Sequence, residues 1–249
     1  MKISFHNSIE EISRESWDAL IGDLNYPFLK HDFLKTLEIT NCVGTNTGWI
    51  PIHITIERDK ELIAAMPLYL KSHSQGEFVF DHAWANAFYQ HGLDYYPKLV
   101  SSIPHTPASG PRFLLKDGEE KSVLFEKIKE GVKMISSKNN ISSWHILFPE
   151  KDEINFYENS QLSIRKNAQF IWFNKNYKNF ENYLENFRSR HRKNVLKERN
   201  KIKEQDLIIE TLSGEALDYE IMNKFYKFYL STNIKRSGFS GYLTKQFFL

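Results

Sequence analysis

A single cysteine, Cys42, stands in a chain of 249 residues. That rules out an intramolecular disulfide and any metal centre built from several thiolates, and it fits a reducing compartment. No stretch approaches the roughly 18 consecutive apolar residues that a membrane-crossing helix needs. The opening residues, Met1 to His6, are strand-like and lack the long apolar region of a signal peptide. The chain is therefore expected to be soluble and cytoplasmic. A P-loop and a G-x-S-x-G elbow are also missing, so nucleophilic hydrolase chemistry is not expected. His31/Asp32, Asp81/His82, His91 and His105 do not fall at the i, i+3 or i, i+4 spacing of metal ligands, and no metal is expected.

Charge of either sign is nearly balanced, at a net +2, but it is unevenly placed. Residues 188–203 hold eight Lys or Arg and one acid, Glu198, for a local charge of +7. The remainder then carries 25 bases against 30 acids. An anionic partner belongs at that segment if it belongs anywhere. Three readings stand: a solvated helix face, a phosphate site at Arg188, Arg190, Arg192 and Lys193 near a helix start, or a nucleic-acid surface. No helix-turn-helix or aromatic RNA-binding signature accompanies it.

What is abundant lies between residues 78 and 112. Seven of those 35 residues are aromatic (Phe78, Phe80, Trp84, Phe88, Tyr89, Tyr95, Tyr96), and four of the eight prolines are there. Full charge is confined to Asp81, Asp94, Lys98 and Arg112, four of 35 positions against 26% of the whole chain. Amphipathic rings beside Asp, His and Thr in a proline-stiffened backbone suit the wall of a concave site, or a buried aromatic packing knot. In the loop 104–111, Gly110 can take a positive φ while the prolines stiffen the remaining backbone, which lets Thr106, Ser109 and backbone amides face a ligand or serve architecture alone.

Periodicity reads as strand 2–5, helix 13–24 capped by Ser13 with Trp17, Leu20, Ile21 and Leu24 on one face, and helix 30–39. Residues 49–57 and 62–70 form a hairpin turning at Arg58, Asp59 and Lys60. A strand end and short helix at 78–91, strands at 98–103 and 112–115, helix 122–136, strand 144–148 and helix 150–159 follow. A second cycle has strand 169–174, helix 180–187 capped by Asn179, a basic helix with Leu184, Phe187, His191, Val195 and Ile202 in one stripe, strand 207–212 and helix 215–229. The class expected is α/β (α+β), with mixed sheets flanked by helices. The apolar end, Phe247-Phe248-Leu249, and the few strands of the second cycle lead us to expect a fragment.

Several blocks together carry a resemblance: residues 66–81 (MPLYLKSHSQGEFVFD), Trp84-Ala85, Tyr95-Tyr96-Pro97-Lys98-Leu99, the loop 104–112 (PHTPASGPR), Leu147-Phe148-Pro149, Gln169-Phe170-Ile171-Trp172 and residues 189–194 (SRHRKN). In this order they are similar to the FemAB-like, GNAT-type acyltransferases described as peptidoglycan biosynthesis or recognition proteins. The resemblance implies two tandem acyl-CoA N-acyltransferase-like lobes, here 1–160 and an incomplete 161–249. It implies transfer of an acyl or aminoacyl group to an amine acceptor, such as a peptidoglycan precursor, from acyl-CoA or aminoacyl-tRNA. The usual acetyl-CoA pyrophosphate loop is absent. Asp81, His91 and Tyr95 are expected to assist the proton. Lys71, Trp84, Tyr96, Lys98, Thr106, Ser109, Gly110, Arg112, Arg188, Arg190, Arg192 and Lys193 are expected to bind substrate. The competing class is a non-catalytic module that binds cell-wall precursors, or nucleic acid through residues 188–203.

Overall fold

Alternating isoleucines build the centre of the structure, a computed structural model that describes residues 1–249 apart from Leu24 and Asp206. β1 (Lys2–His6) pairs antiparallel with β3 (His53–Arg58), and β3 continues into β4 (Glu61–Met66). Asp59 and Lys60 both take positive φ, 53° and 69°, as a two-residue turn matched to strand twist requires. The expected single hairpin is divided at its base. Pro51 ends β2 (Trp49–Pro51), Pro67 follows β4, and β2 pairs instead with β5 (Tyr69–Lys71) in another sheet. A proline cannot donate to a ladder, so strands change partners at these points. The bond from Ile52 N to Leu68 O, 2.9 Å, carries the hairpin across the break.

Two four-stranded sheets result, β1-β3-β4-β7 and β2-β5-β6-β8, with β6 at Lys98–Ser101, β7 at Leu114–Leu115 and β8 at Trp144–Ile146. The β6–β8 pair is parallel, which demands a long crossover. Helix α4 (Lys121–Asn139) lies within that crossover. Its Leu124, Phe125, Ile128 and Val132 cluster with Ile54, Ile56, Ala64 and Met66 of the first sheet. Ala65 and Leu114 join Trp17 of α1 (Arg14–Ala19), Leu20 and Ile21 just after it, and Leu34 of α2 (His31–Ile39) in a second cluster.

Ser13 caps α1 as expected, accepting from Ser16 N, but the helix stops at Ala19 and Gly22 follows at φ 60°. The Leu24 expectation lies outside the described residues. Residues 78–81 form no strand; the chain passes directly to α3 (His82–Gln90). Helix α5 (Ile154–Asn159) closes the first run.

The chain divides into two compact units, Met1–Ile164 together with Tyr219–Leu249, and Arg165–Asp218. Residues 161–164 and 219–249 thus group with the first run, and residues 165–218 form the other unit. In the first unit, α8 (Tyr219–Ser237) and α9 (Lys245–Phe248) are tied together by the Tyr229 hydroxyl, which accepts from Tyr242 N and Leu243 N. Thr244 Oγ1 donates to Thr40 O at 2.8 Å.

The second unit holds α6 (Phe180–Leu184), capped by the Asn179 side chain, and α7 (Ser189–Glu204). The strands expected at 169–174 and 207–212 are absent. Their apolar residues, Phe170 to Phe173 and Leu207 to Ile209, are exposed, because a strand persists only where a neighbouring edge pairs its backbone. The expected apolar stripe is not buried along α7: Val195 is half-buried and Ile202 exposed.

Candidate functional site

Strands β5 and β6 place Lys71 and Lys98 directly opposite one another. Both side chains are fully buried. A lysine in an apolar strand needs a counterion, and residues 72–93 contain two acids, Glu77 and Asp81. The segment after β5 folds back and delivers both. Lys98 Nζ donates to Glu77 Oε2 at 2.8 Å, to Ser74 Oγ at 2.9 Å and to Asp81 Oδ2. Asp81 Oδ2 also accepts from the Tyr95 hydroxyl at 2.7 Å and from Ser74 Oγ at 2.9 Å. Ser74 lies 2.8 Å from the Tyr96 hydroxyl. Lys71 Nζ donates to Gln75 O at 3.1 Å and lies 3.8 Å over the Trp49 ring. The Trp49 indole N–H donates to the same carbonyl, at 3.1 Å.

Burial and charge divide these groups. Burial, reinforced by Lys98, pushes the Lys71 amine down to about 7, against the opposing pull of Glu77 and Asp81. Burial raises Glu77 more than its lysine partners lower it. Burial also works to raise Asp81, but the donors Lys98, Tyr95 and Ser74 together outweigh it and hold the carboxyl at about 2. Tyr95 is pushed up by burial and by its bond to Asp81, so its proton stays in place. At neutral pH the cluster therefore holds an ionised Asp81, a protonated Tyr95 and an amine that can gain or lose a proton.

Residues 8–249 match the family described as FemAB-like, peptidoglycan biosynthesis/recognition. The chain belongs to the FemAB-like family. No curated protein matches. Among solved structures, the FemAB-like chain is similar to the aminoglycoside 6′-N-acetyltransferase AAC(6′)-IG of Acinetobacter haemolyticus, at 10% identity and a TM-score of 0.41 over 70% of this chain and 98% of that one. It is likewise similar to a ribosomal-protein-alanine N-acetyltransferase of Brucella melitensis biovar Abortus 2308, at 9% identity and TM-score 0.42, covering 70% and 100%. A CoA complex of aminoglycoside N-acetyltransferase AAC(6′)-Iy aligns at 11% identity and TM-score 0.39, covering 70% and 98%. Likenesses this distant bear on neither ligand nor reaction.

Of the residues singled out from the FemAB-like sequence, Lys71, Asp81, Tyr95, Tyr96 and Lys98 come together. Ser74, Glu77 and the Gln75 carbonyl complete the group and were not anticipated. The signal for Glu77 was available: two lysines inside apolar strands required two nearby acids. His91 lies exposed at the C-terminal end of α3, outside this hydrogen-bond network. Trp84 is exposed on the first turn of α3, its ring 6.1 Å from that of His145. In the proline loop, Thr106 Oγ1 donates to Pro104 O and Ser109 is exposed. Gly110 does not use the positive φ open to a glycine; that conformation falls to His105, at 58°. Glycine serves there for close approach, since a Cβ would meet the Tyr26 ring at 3.2 Å. Arg112 is buried and donates to the carbonyls of Leu147, Gly110, Pro111 and Ala108, so it clamps the loop from inside.

In the second unit Arg188, Arg190, Arg192 and Lys193 are all exposed at the start of α7. A cleft of about 590 Å³ in this unit is lined by Trp172, Asn174, Tyr177, Asn179, Phe180 and Tyr183. Arg199 of α7 lies 3.9 Å over the Phe180 ring. Among the described residues no group of three or more His, Cys, Asp or Glu is placed to hold a metal, and no helix is long and apolar enough to cross a membrane.

Proposed function

We propose that this FemAB-like protein is an N-acyltransferase that moves an acyl or aminoacyl group from an activated ester or thioester to an amine, with a peptidoglycan precursor as the acceptor. The observation that carries this reading is the family match over residues 8–249, joined to a buried cluster with an amine near neutrality. Attack on an activated acyl group needs a neutral amine and stabilisation of the developing oxyanion more than it needs a protein nucleophile. The cluster under Tyr96 is the part of the first unit fitted to handle an amine. The exposed cations Arg188, Arg190, Arg192 and Lys193 are suited to a phosphorylated part of donor or acceptor, acyl-CoA and aminoacyl-tRNA both qualifying.

The test is transfer of labelled acyl groups from a panel of acyl-CoA and aminoacyl-tRNA donors to amine acceptors that include a peptidoglycan precursor. Labelled amide from at least one pair is expected, with donor binding weakened and its salt dependence reduced in the Arg190→Ala/Arg192→Ala double variant. Retained precursor binding without transfer from any donor would replace the enzyme with a binding module.

A further inference from the structure

Like charges directly opposite each other destabilise a strand pair, yet Lys71 and Lys98 are register partners. Their surroundings are unequal. Lys98 has an acceptor for each of its three ammonium protons, in Glu77, Asp81 and Ser74. Lys71 has the Gln75 carbonyl and the face of Trp49. A buried ammonium is stable when all its protons are taken, so this environment matches the neutral amine better than the cation.

The unmet capacity around Lys71 is complementary to it. Glu77 Oε1 and Asp81 Oδ1 are buried and accept no hydrogen bond. Ser74 Oγ accepts from Lys98 and spends its own proton on Asp81, so in the 2.8 Å contact with Tyr96 the phenol must donate. That leaves the lone pairs of the half-buried Tyr96 oxygen for another donor. Two carboxylate oxygens and a phenol oxygen, all acceptors, sit in one cluster with a lysine short of acceptors. An incoming ligand that satisfies them is a multiple hydrogen-bond donor with positive charge, which describes an alkylammonium.

We propose that this cluster is the acceptor-amine subsite, in which Lys71 removes a proton from the substrate ammonium while Tyr96, Glu77 and Asp81 accept its hydrogen bonds. The inference rests on the N-acyltransferase reading and assigns its acceptor side. In the step, one N–H bond of R–NH3+ breaks and its electron pair stays on the substrate nitrogen. The proton forms a new N–H bond on the Lys71 lone pair, so charge is conserved. The freed lone pair attacks the acyl carbon, the leaving alcohol or thiol takes the second amine proton, and Lys71 returns its proton to solvent. The Gln75 carbonyl is what the amine displaces from Lys71; it sits in a segment whose Ser72, Gln75, Phe78 and Phe80 are exposed. The charged and titratable groups that face Lys71 are Glu77 and Asp81 from that segment, Lys98 from β6, His73 beside it and His105 from the proline loop.

The experiment has two readouts on the full chain. In NMR with 13Cε-labelled lysine, Lys71, assigned through Lys71→Arg, is expected to titrate near neutrality. Its midpoint should fall on addition of ethylammonium, a cation with N–H donors, and not with tetramethylammonium, and Tyr96→Phe should reduce that response. A Lys71 still charged above pH 9, or one indifferent to ethylammonium, overturns the proposal. In the transfer assay, Lys71→Met is expected to lower kcat by about 10²–10⁴-fold with little change in donor KM, without rescue by Lys71→Arg. Wild-type transfer that survives Lys71→Met unchanged also overturns it. Absence of transfer in the wild type defeats the enzyme reading instead, and the NMR titration then decides the amine subsite by itself.

Discussion

Replacing Lys98 with methionine keeps most of the side-chain volume and removes the charge on which two buried carboxylates depend. In the native cluster Lys98 bonds Glu77, Asp81 and Ser74, with no exposure of either lysine or carboxylates above 2%. Breaking a buried ion pair by deleting one partner costs about 3–5 kcal/mol, because the other charge stays buried without compensation. Two effects pull the expected value to the lower end. Lys71 loses its like-charged neighbour and more readily holds a proton, and Glu77, already raised by burial, can neutralise itself by protonation. We therefore expect a loss of about 3 kcal/mol, a large share of the 5–15 kcal/mol that typically holds a domain. Urea denaturation at pH 7, followed by tryptophan fluorescence and circular dichroism, measures it. The loss should persist at high salt, since screening acts on exposed charges far more than on buried ones. The double variant Lys98→Met/Asp81→Asn should recover stability relative to the sum of the single changes. A loss below about 1 kcal/mol, or strictly additive variants, would refute the reasoning that these charges are held by each other.

His105 offers a pH test. Its Nε2 bonds the Cys42 carbonyl, its ring stacks on Tyr242 at 4.7 Å, and burial lowers it from 6.5 to about 4. The unfolded chain binds this proton first on acidification, so the stabilisation is complete above pH 6.5 and is lost as pH falls towards 4. Its ceiling is about 3 kcal/mol, and His105→Gln should flatten the stability–pH curve across that window. Gly76→Ala should cost about 2–4 kcal/mol, combining a positive φ with a Cβ placed 2.5 Å from His105 Nδ1. Gly118→Ala, at φ 83° with nothing within 4 Å of the new Cβ, should lose only the backbone part when both variants are measured by urea denaturation.

Local patterns were legible wherever the chain supplies its own partner. The alternating isoleucines, the Asp59-Lys60 turn, and the Ser13 and Asn179 caps all follow from residues a few positions apart, and all are present in the structure. The sequences at 169–174 and 207–212 have strand composition too, but a strand is a relation between two edges, and composition names only one of them. Their exposed, unpaired state could not be read from the residues alone.

The candidate site divides the same way. Sequence by itself determined that residues 71–98 hold two strand lysines, three acids and an unusual density of phenols and indoles, and the family to which they belong. It could not say that Lys98 would take Glu77 and Asp81 while Lys71 received a carbonyl and a ring, or that Arg112 would turn inward to backbone oxygens. Those outcomes depend on the β5–β6 register and on the fold-back of residues 72–81, which set distances of about 3 Å between groups many residues apart. Hydrogen bonding and desolvation change steeply over such distances, so the protonation of each group was decided only by the tertiary structure.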